Sequence, residues 1–168
     1  MILFAFFASK NELNDEFVNY FHESVAFRTD TDFTTQNLSG IYAAEFSLSS
    51  GEEDGISEPA YLAKIDEFAN WYRAQPDVIH VAVLTDTLKR LNQNMHGDDP
   101  AWHKLPDQRD LAAQYLLLYE MSLPFGLDPN NQIDIRKSAT RMVVTMGSVS
   151  SREMRALTAA GEDWLRQN

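Results

Sequence analysis

The sequence predicts an α+β domain. Two observations carry that expectation. Three short runs rich in β-branched and aromatic residues stand at 41–48, 78–84 and 140–146. Around them lie longer stretches whose apolar side chains recur every three or four residues. The chain has 168 residues, near the size of one ordinary domain. Hydrophobic residues make up 44% and charged residues 23%, enough for a sizeable core and too apolar for general disorder. Lys and Arg number 14 against 25 Asp and Glu, a net charge of −11. That balance argues against a nucleic-acid surface and disfavours adhesion to anionic lipid headgroups. There is no Cys, so disulfides, thiolate metal sites and thiol nucleophiles are excluded.

Each element follows from its own residues. Residues 1–8 are apolar throughout, too short to cross a bilayer and without the basic flank of a signal peptide. They read as a buried element or as the tail of a longer apolar segment. Leu13, Phe17, Val18 and Phe21 fall at helical spacing within 11–21. Residues 24–38 read as a second, mostly exposed helix with Val25, Phe27, Phe33 and Leu38 as its few apolar positions, ended by Ser39-Gly40. At 41–48, Tyr42, Ala44, Phe46 and Leu48 share one face, with Glu45 and Ser47 opposite: a strand. Residues 49–55 read as a flexible acidic loop.

Ser57 as N-cap and Pro59 in the first turn open the clearest amphipathic helix, which runs to Ala74. Its apolar positions are Tyr61, Leu62, Ile65, Phe68, Ala69 and Tyr72. The run at 78–84 reads as a strongly buried strand, with His80 a satisfied core or face histidine. A short helix at 85–95 turns Leu88 and Leu91 inward. A loop at 96–106 precedes a very apolar helix at 107–121. Leu111, Tyr115, Leu118 and Tyr119 are its expected core face, and Leu116 and Leu117 widen the apolar arc, so burial on more than one side is expected. A Pro/Gly/Asn connection at 123–131 leads to the third strand. Ser150 and Glu153 form a capping box for a last helix reaching Leu165, with Met154, Leu157, Ala160, Gly161 and Trp164 inward. Setting aside the helices at 11–38 and 86–122, the order is β-α-β…β-α. This is a split β-α-β of ferredoxin-like type, incomplete by one strand, which would follow Asn168. Residues 11–168 form the expected domain, with 1–10 outside it.

Chemical motifs are sparse. His96, Asp98, Asp99 and His103 are the densest set of metal-ligating side chains. Their spacing fits no helix-borne zinc pattern, and a polar loop using Asp for its turns explains them better. Residues 128–139 superficially resemble a calcium loop but place Ile133 at position six and Ala139 at position twelve. Paired carboxylates such as Asp15/Glu16, Asp30/Asp32 and Glu52/Glu53 read as solvated surface. No nucleophile elbow, dinucleotide fingerprint or phosphate-binding loop is present. Nothing here calls for an enzyme or a cofactor.

A set of ordered stretches does carry information: 14–21 (NDEFVNYF), 27–33 (FRTDTDF), 37–40 (NLSG), 84–92 (LTDTLKRLN), 95–100 (MHGDDP), 114–122 (QYLLLYEMS) and 137–141 (KSATR). Together they resemble the first large extracytoplasmic loop of resistance-nodulation-division (RND) superfamily exporters, in the branch related to hydrophobe/amphiphile efflux and large mycobacterial membrane protein transporters. The resemblance covers residues 11–165, nearly the whole chain.

That resemblance implies a ferredoxin-like porter subdomain between two membrane helices, on the periplasmic or extracytoplasmic face of the bacterial inner membrane, with 1–10 a remnant of the first membrane helix or a leader that replaces it. It implies proton-driven export of hydrophobic or amphiphilic molecules, lipids included, with the domain forming part of the path. The implied partners are the cargo, the membrane helices and the second porter loop of the parent transporter. The proton-carrying acids of the family lie in membrane helices, outside this sequence. An apolar cargo groove would have Phe46, Tyr61, Tyr72, Tyr115 and Tyr119 as candidate liners, although core packing explains each of them as well. The alternative is a free-standing, non-enzymatic module that binds an apolar ligand or a protein partner, or pairs with itself along an open sheet edge.

Overall fold

A computed structural model describes residues 17–124 and 129–168. The expected remnant at 1–10, residues 11–16 of the first helical stretch, and 125–128 lie outside the described residues. The fold is α+β, with a small three-stranded antiparallel sheet and five α-helices among the described residues. The helices are α1 (Ala26–Asn37), α2 (Pro59–Arg73), α3 (Leu84–Met95), α4 (Arg109–Ser122) and α5 (Ser151–Gln167). The strands are β1 (Tyr42–Ser49), β2 (Val78–Ala82) and β3 (Ala139–Met146), in sheet order β1-β3-β2.

β3 is central and pairs along its whole length with β1, from Tyr42 opposite Met146 to Ser49 opposite Ala139. The alternation read from the sequence at 41–48 is real. Ala44, Phe46 and Leu48 of β1 and Thr140, Met142, Val144 and Met146 of β3 are buried on one face. Gly40, just before β1, is pressed against the Met146 carbonyl with no room for a Cβ. Its role is therefore close backbone approach rather than helix termination. β2 corrects an expectation. It is an edge strand with an irregularity between Val78 and His80. Only Val81 of its five residues is buried, and Ile79 is 50% exposed. A β-branched run is thus no proof of a two-sided burial: helices cover one face of this sheet only.

α2 lays Ile65, Phe68, Ala69 and Tyr72 on the buried sheet face, where they form the first core. Aromatic rings interlock there: Phe46 and Phe68 at 5.5 Å edge-to-face, and Phe68 and Trp164 stacked at 5.1 Å. α5 packs alongside α2, with Gly161 against the Tyr72 ring and the Tyr72 hydroxyl donating to Leu157 O at 3.2 Å. The Ser150–Glu153 capping box is formed. Ala160, expected inward, is exposed.

The N-terminus of α2 differs from expectation. Its cap is Glu58, which pairs with Arg109 at 2.8 Å, while Ser57 is buried in a 3-10 turn. Nor are residues 49–55 a free loop. Ser50, Asp54 and Ile56 each donate a backbone N–H to the carbonyls of Ser138, Arg136 and Lys137.

A second core gathers Ile56, Leu62, Leu84, Leu88, Ala112, Tyr115, Leu116 and Ile133. At its margin the buried Asn92 donates to Lys104 O at 2.9 Å and accepts from the Tyr115 hydroxyl at 3.0 Å. This ties the 96–106 loop to α3 and α4. α4 is buried on one side only, because Leu117 is 53% and Met121 76% exposed. Of the helix expected over 11–21, the described part is a 3-10 turn, Phe17–Tyr20. No helix among the described residues is long and apolar enough to cross a membrane.

Candidate functional site

The sheet face turned away from α2 and α5 is open. Strand alternation places Ala43, Glu45 and Ser47 of β1, Arg141, Val143 and Thr145 of β3, and His80 and Ala82 of β2 on it. Two adjoining hollows lie over this face. One, of about 360 Å³, has Ala82, Val83 and Val143 as its apolar floor and His80, Asp86, Gln132 and Arg141 around it. The other, of about 400 Å³, spreads between Glu45, Ser47 and the 130–134 segment.

Arg141 stands between the two. Its Nε donates to Glu45 Oε2 at 3.0 Å, its Nη2 pairs with Glu45 Oε1, and its Nη1 donates to Asn131 O at 3.2 Å. This fork fixes β1, β3 and the 129–133 segment to one another. The segment itself is pinned where Arg141 N donates to Gln132 O at 2.8 Å.

Asp134 then closes the turn into β3. Its carboxylate accepts from Ser138 Oγ at 2.8 Å, Ser138 N at 2.6 Å and Ala139 N at 2.8 Å. The Ser138 hydroxyl first, and then the backbone donors, hold the Asp134 carboxyl below the usual carboxylate range. On the far rim, Arg73 donates to Val81 O at 3.1 Å and pairs with Asp86 at 2.5 Å, so α2 anchors both β2 and the start of α3. The result is a rigid, open surface with a small-residue floor and a polar border. It offers shape and amphipathic contact. The charged groups on it are spent on positioning.

The five aromatic candidates are not brought together. Phe46 and Tyr72 are buried in the first core, and Tyr115 in the second. Tyr61 lies between the cores, donating to Leu48 O at 2.7 Å with Thr140 Oγ1 at 2.8 Å. Burial pushes its hydroxyl up to about 12. Burial likewise raises Tyr72 and Tyr115. Tyr119 is half-buried on α4. Only Phe46 reaches the border of the open-face hollows. Phe46, Tyr61, Tyr72 and Tyr115 pack helices onto the sheet and onto each other, because their large apolar area is most stabilising when buried.

The His/Asp loop is also organised without a shared centre. His96 stacks on Trp102 at 3.6 Å with its Nδ1 2.7 Å from Asn92 O. His103 Nδ1 lies 3.0 Å from Gln93 Oε1. Asp99 caps the next turn by accepting from Ala101 N, and Asp98 sits at a positive φ of 63°. Among the described residues no group of three or more His, Asp or Glu could hold a metal ion.

The open-face residues Glu45, His80, Arg141 and Val143 were not singled out by sequence. Of these, only Glu45 is placed on a strand face by the alternation at 41–48. What was missing was the register that sets Glu45 beside Arg141 across 96 positions. Comparison with family models, curated proteins and solved structures gave no match.

Proposed function

We propose that this chain is an extracytoplasmic porter-type domain of a proton-driven RND exporter, lying outside the bacterial inner membrane and forming part of the path for hydrophobic or amphiphilic molecules, lipids among them. The observation that carries the reading is the sheet: order β1-β3-β2, with α2 joining β1 to β2, α5 following β3, and one face left open. A split β-α-β of ferredoxin-like kind has this order. The ordered stretches of sequence point to porter subdomains of the same kind.

In this reading the path runs over the open sheet face rather than between the aromatic side chains of the cores. The small residues Ala43, Ser47, Ala82 and Val143 leave room for an acyl chain or ring system. Rigid-body movement against a neighbouring subdomain would open and close the space. The domain guides passage and performs no chemistry, and the membrane helices of the parent protein supply the proton coupling.

Val143→Trp tests this. The side chain lies on the floor of the 360 Å³ hollow and outside both cores. It is expected to slow export of a fluorescent amphiphile by the parent protein several-fold at unchanged abundance in the membrane. Wild-type export would remove the sheet face from the path.

A further inference from the structure

We propose that the hollow between the end of β1, α2 and the last turn of α5 binds a small aliphatic carboxylate, with its tail on the apolar wall and its head at Lys64. The site lies at the helix-covered side of the sheet, away from the open face. The proposal stands without the exporter reading.

The hollow encloses about 240 Å³, and Leu48, Ile65, Phe68 and Leu165 supply its apolar wall. Leu48, Ile65 and Phe68 belong to the first core, and Leu165 packs against that core while partly exposed. Drug-sized pockets span about 300–1,000 Å³, so this smaller space suits one short chain and no two-tailed lipid. A methylene chain gains from entering it as a leucine side chain gains from burial.

The border carries a cation. Among the residues lining the hollow, Lys64 is the only charged one. Its Nζ lies 3.7 Å from Glu67 Oε2, and the two side chains are 44% and 64% exposed. An exposed pair three residues apart on a helix is weak, so the ammonium can exchange that partner for a ligand carboxylate. Lys64 Nζ also stands 5.8 Å from the centre of the Trp164 ring, which draws it toward the end of α5.

β1 supplies a second donor. Ser50 N donates to Ser138 O, so by two-residue alternation Leu48 N faces β3 and Ser47 N faces the other side. No strand lies along that side of β1 among the described residues, and Ser47 lines the hollow. The Tyr61 hydroxyl is already committed, donating to Leu48 O at 2.7 Å. One ammonium and one backbone N–H suit a head group with a single negative charge. An alcohol would gain no charge-assisted bond from Lys64, and an amine would be repelled by it.

NMR titration of the isotope-labelled chain with octanoate, below its micellar concentration, tests the proposal. The amides of Ser47, Ser49 and Leu165 are expected to shift together along one saturable curve. Across butanoate, hexanoate and octanoate, affinity should rise about three- to fourfold per added methylene. Lys64→Met keeps the apolar stem and should weaken octanoate binding by about tenfold or more. Lys64→Arg should retain it. Octanol and octylamine should bind more weakly than octanoate by a similar factor. Shifts absent from these three amides, or growing without saturation, would overturn the proposal. So would octanoate binding to Lys64→Met as tightly as to the wild type, or octylamine matching octanoate.

Discussion

Gly161→Ala is the sharpest probe of how α5 is held. Gly161 lies inside α5 and is buried against Tyr72. A Cβ there would come 2.7 Å from Tyr72 Cζ and closer still to its hydroxyl oxygen. The Tyr72 ring cannot move aside, because Phe46 at 5.4 Å, Phe68 at 5.1 Å and Trp71 at 4.7 Å enclose it. Forcing a methyl into such a site costs about 1–3 kcal/mol. Displacing the hydroxyl also loses its hydrogen bond to Leu157 O, about 1 kcal/mol. Against this, alanine gains about 1 kcal/mol over glycine inside a helix. The net expectation is a loss of about 2 kcal/mol, which lowers the urea midpoint by about 1 M for a domain of this size. Equilibrium urea unfolding followed by tryptophan fluorescence reads it. Tyr72→Phe removes the nearest clashing atom, so Gly161→Ala should cost less in that background. A neutral or stabilising Gly161→Ala in the wild-type background, as at an exposed helical glycine, would refute the packing described between α5 and α2.

Other expectations follow from single groups. Asn92→Leu strands the buried Tyr115 hydroxyl and Lys104 carbonyl and should cost about 2–3 kcal/mol. Tyr115→Phe should cost about 1 kcal/mol, with strong coupling in the double variant measured by urea unfolding. The carboxyls of Asp134 and Glu153 both titrate below the usual range, Glu153 chiefly through the Ser150 backbone N–H. Their contribution is complete above the ordinary carboxylate pKa and is lost as pH falls through the lower folded values. Asp134→Asn and Glu153→Gln should therefore each flatten the acid limb of a Tm-against-pH curve. At high pH the sign reverses. The Tyr61 hydroxyl, raised to about 12, contributes stability below its ordinary value that is lost as pH rises through the raised one. Absorbance at 295 nm should show its ionisation delayed, and Tyr61→Phe should remove that component.

The fold was legible where a local pattern and its environment agree. The three strands, the helix at 59–73 and the Ser150–Glu153 capping box follow from period, branching and cap chemistry. Misreadings arose where the partner of a face was unknown. β2 has the composition of a buried strand but occupies an edge, so Ile79 and His80 point outward. α4 is apolar nearly all round, yet helices and turns meet only one side, leaving Leu117 and Met121 exposed. Ser57 is a good cap by type. The 3-10 turn buries it and hands that position to Glu58.

The site was less legible than the fold. The aromatic residues expected at a ligand are those the cores use, since burial rewards large rings most. The open face is built from small residues that give no signal one by one. Arg141 acquires meaning only through Glu45 and Asn131, which the register and the Asp134 turn bring to it.

The exporter reading is tested most directly by sequencing the gene on both sides of this coding segment. The account predicts an open frame that continues into apolar helices of about 20 residues before Met1 and after Asn168. Genuine start and stop signals at these two positions would contradict it, and a free-standing binding domain would take its place.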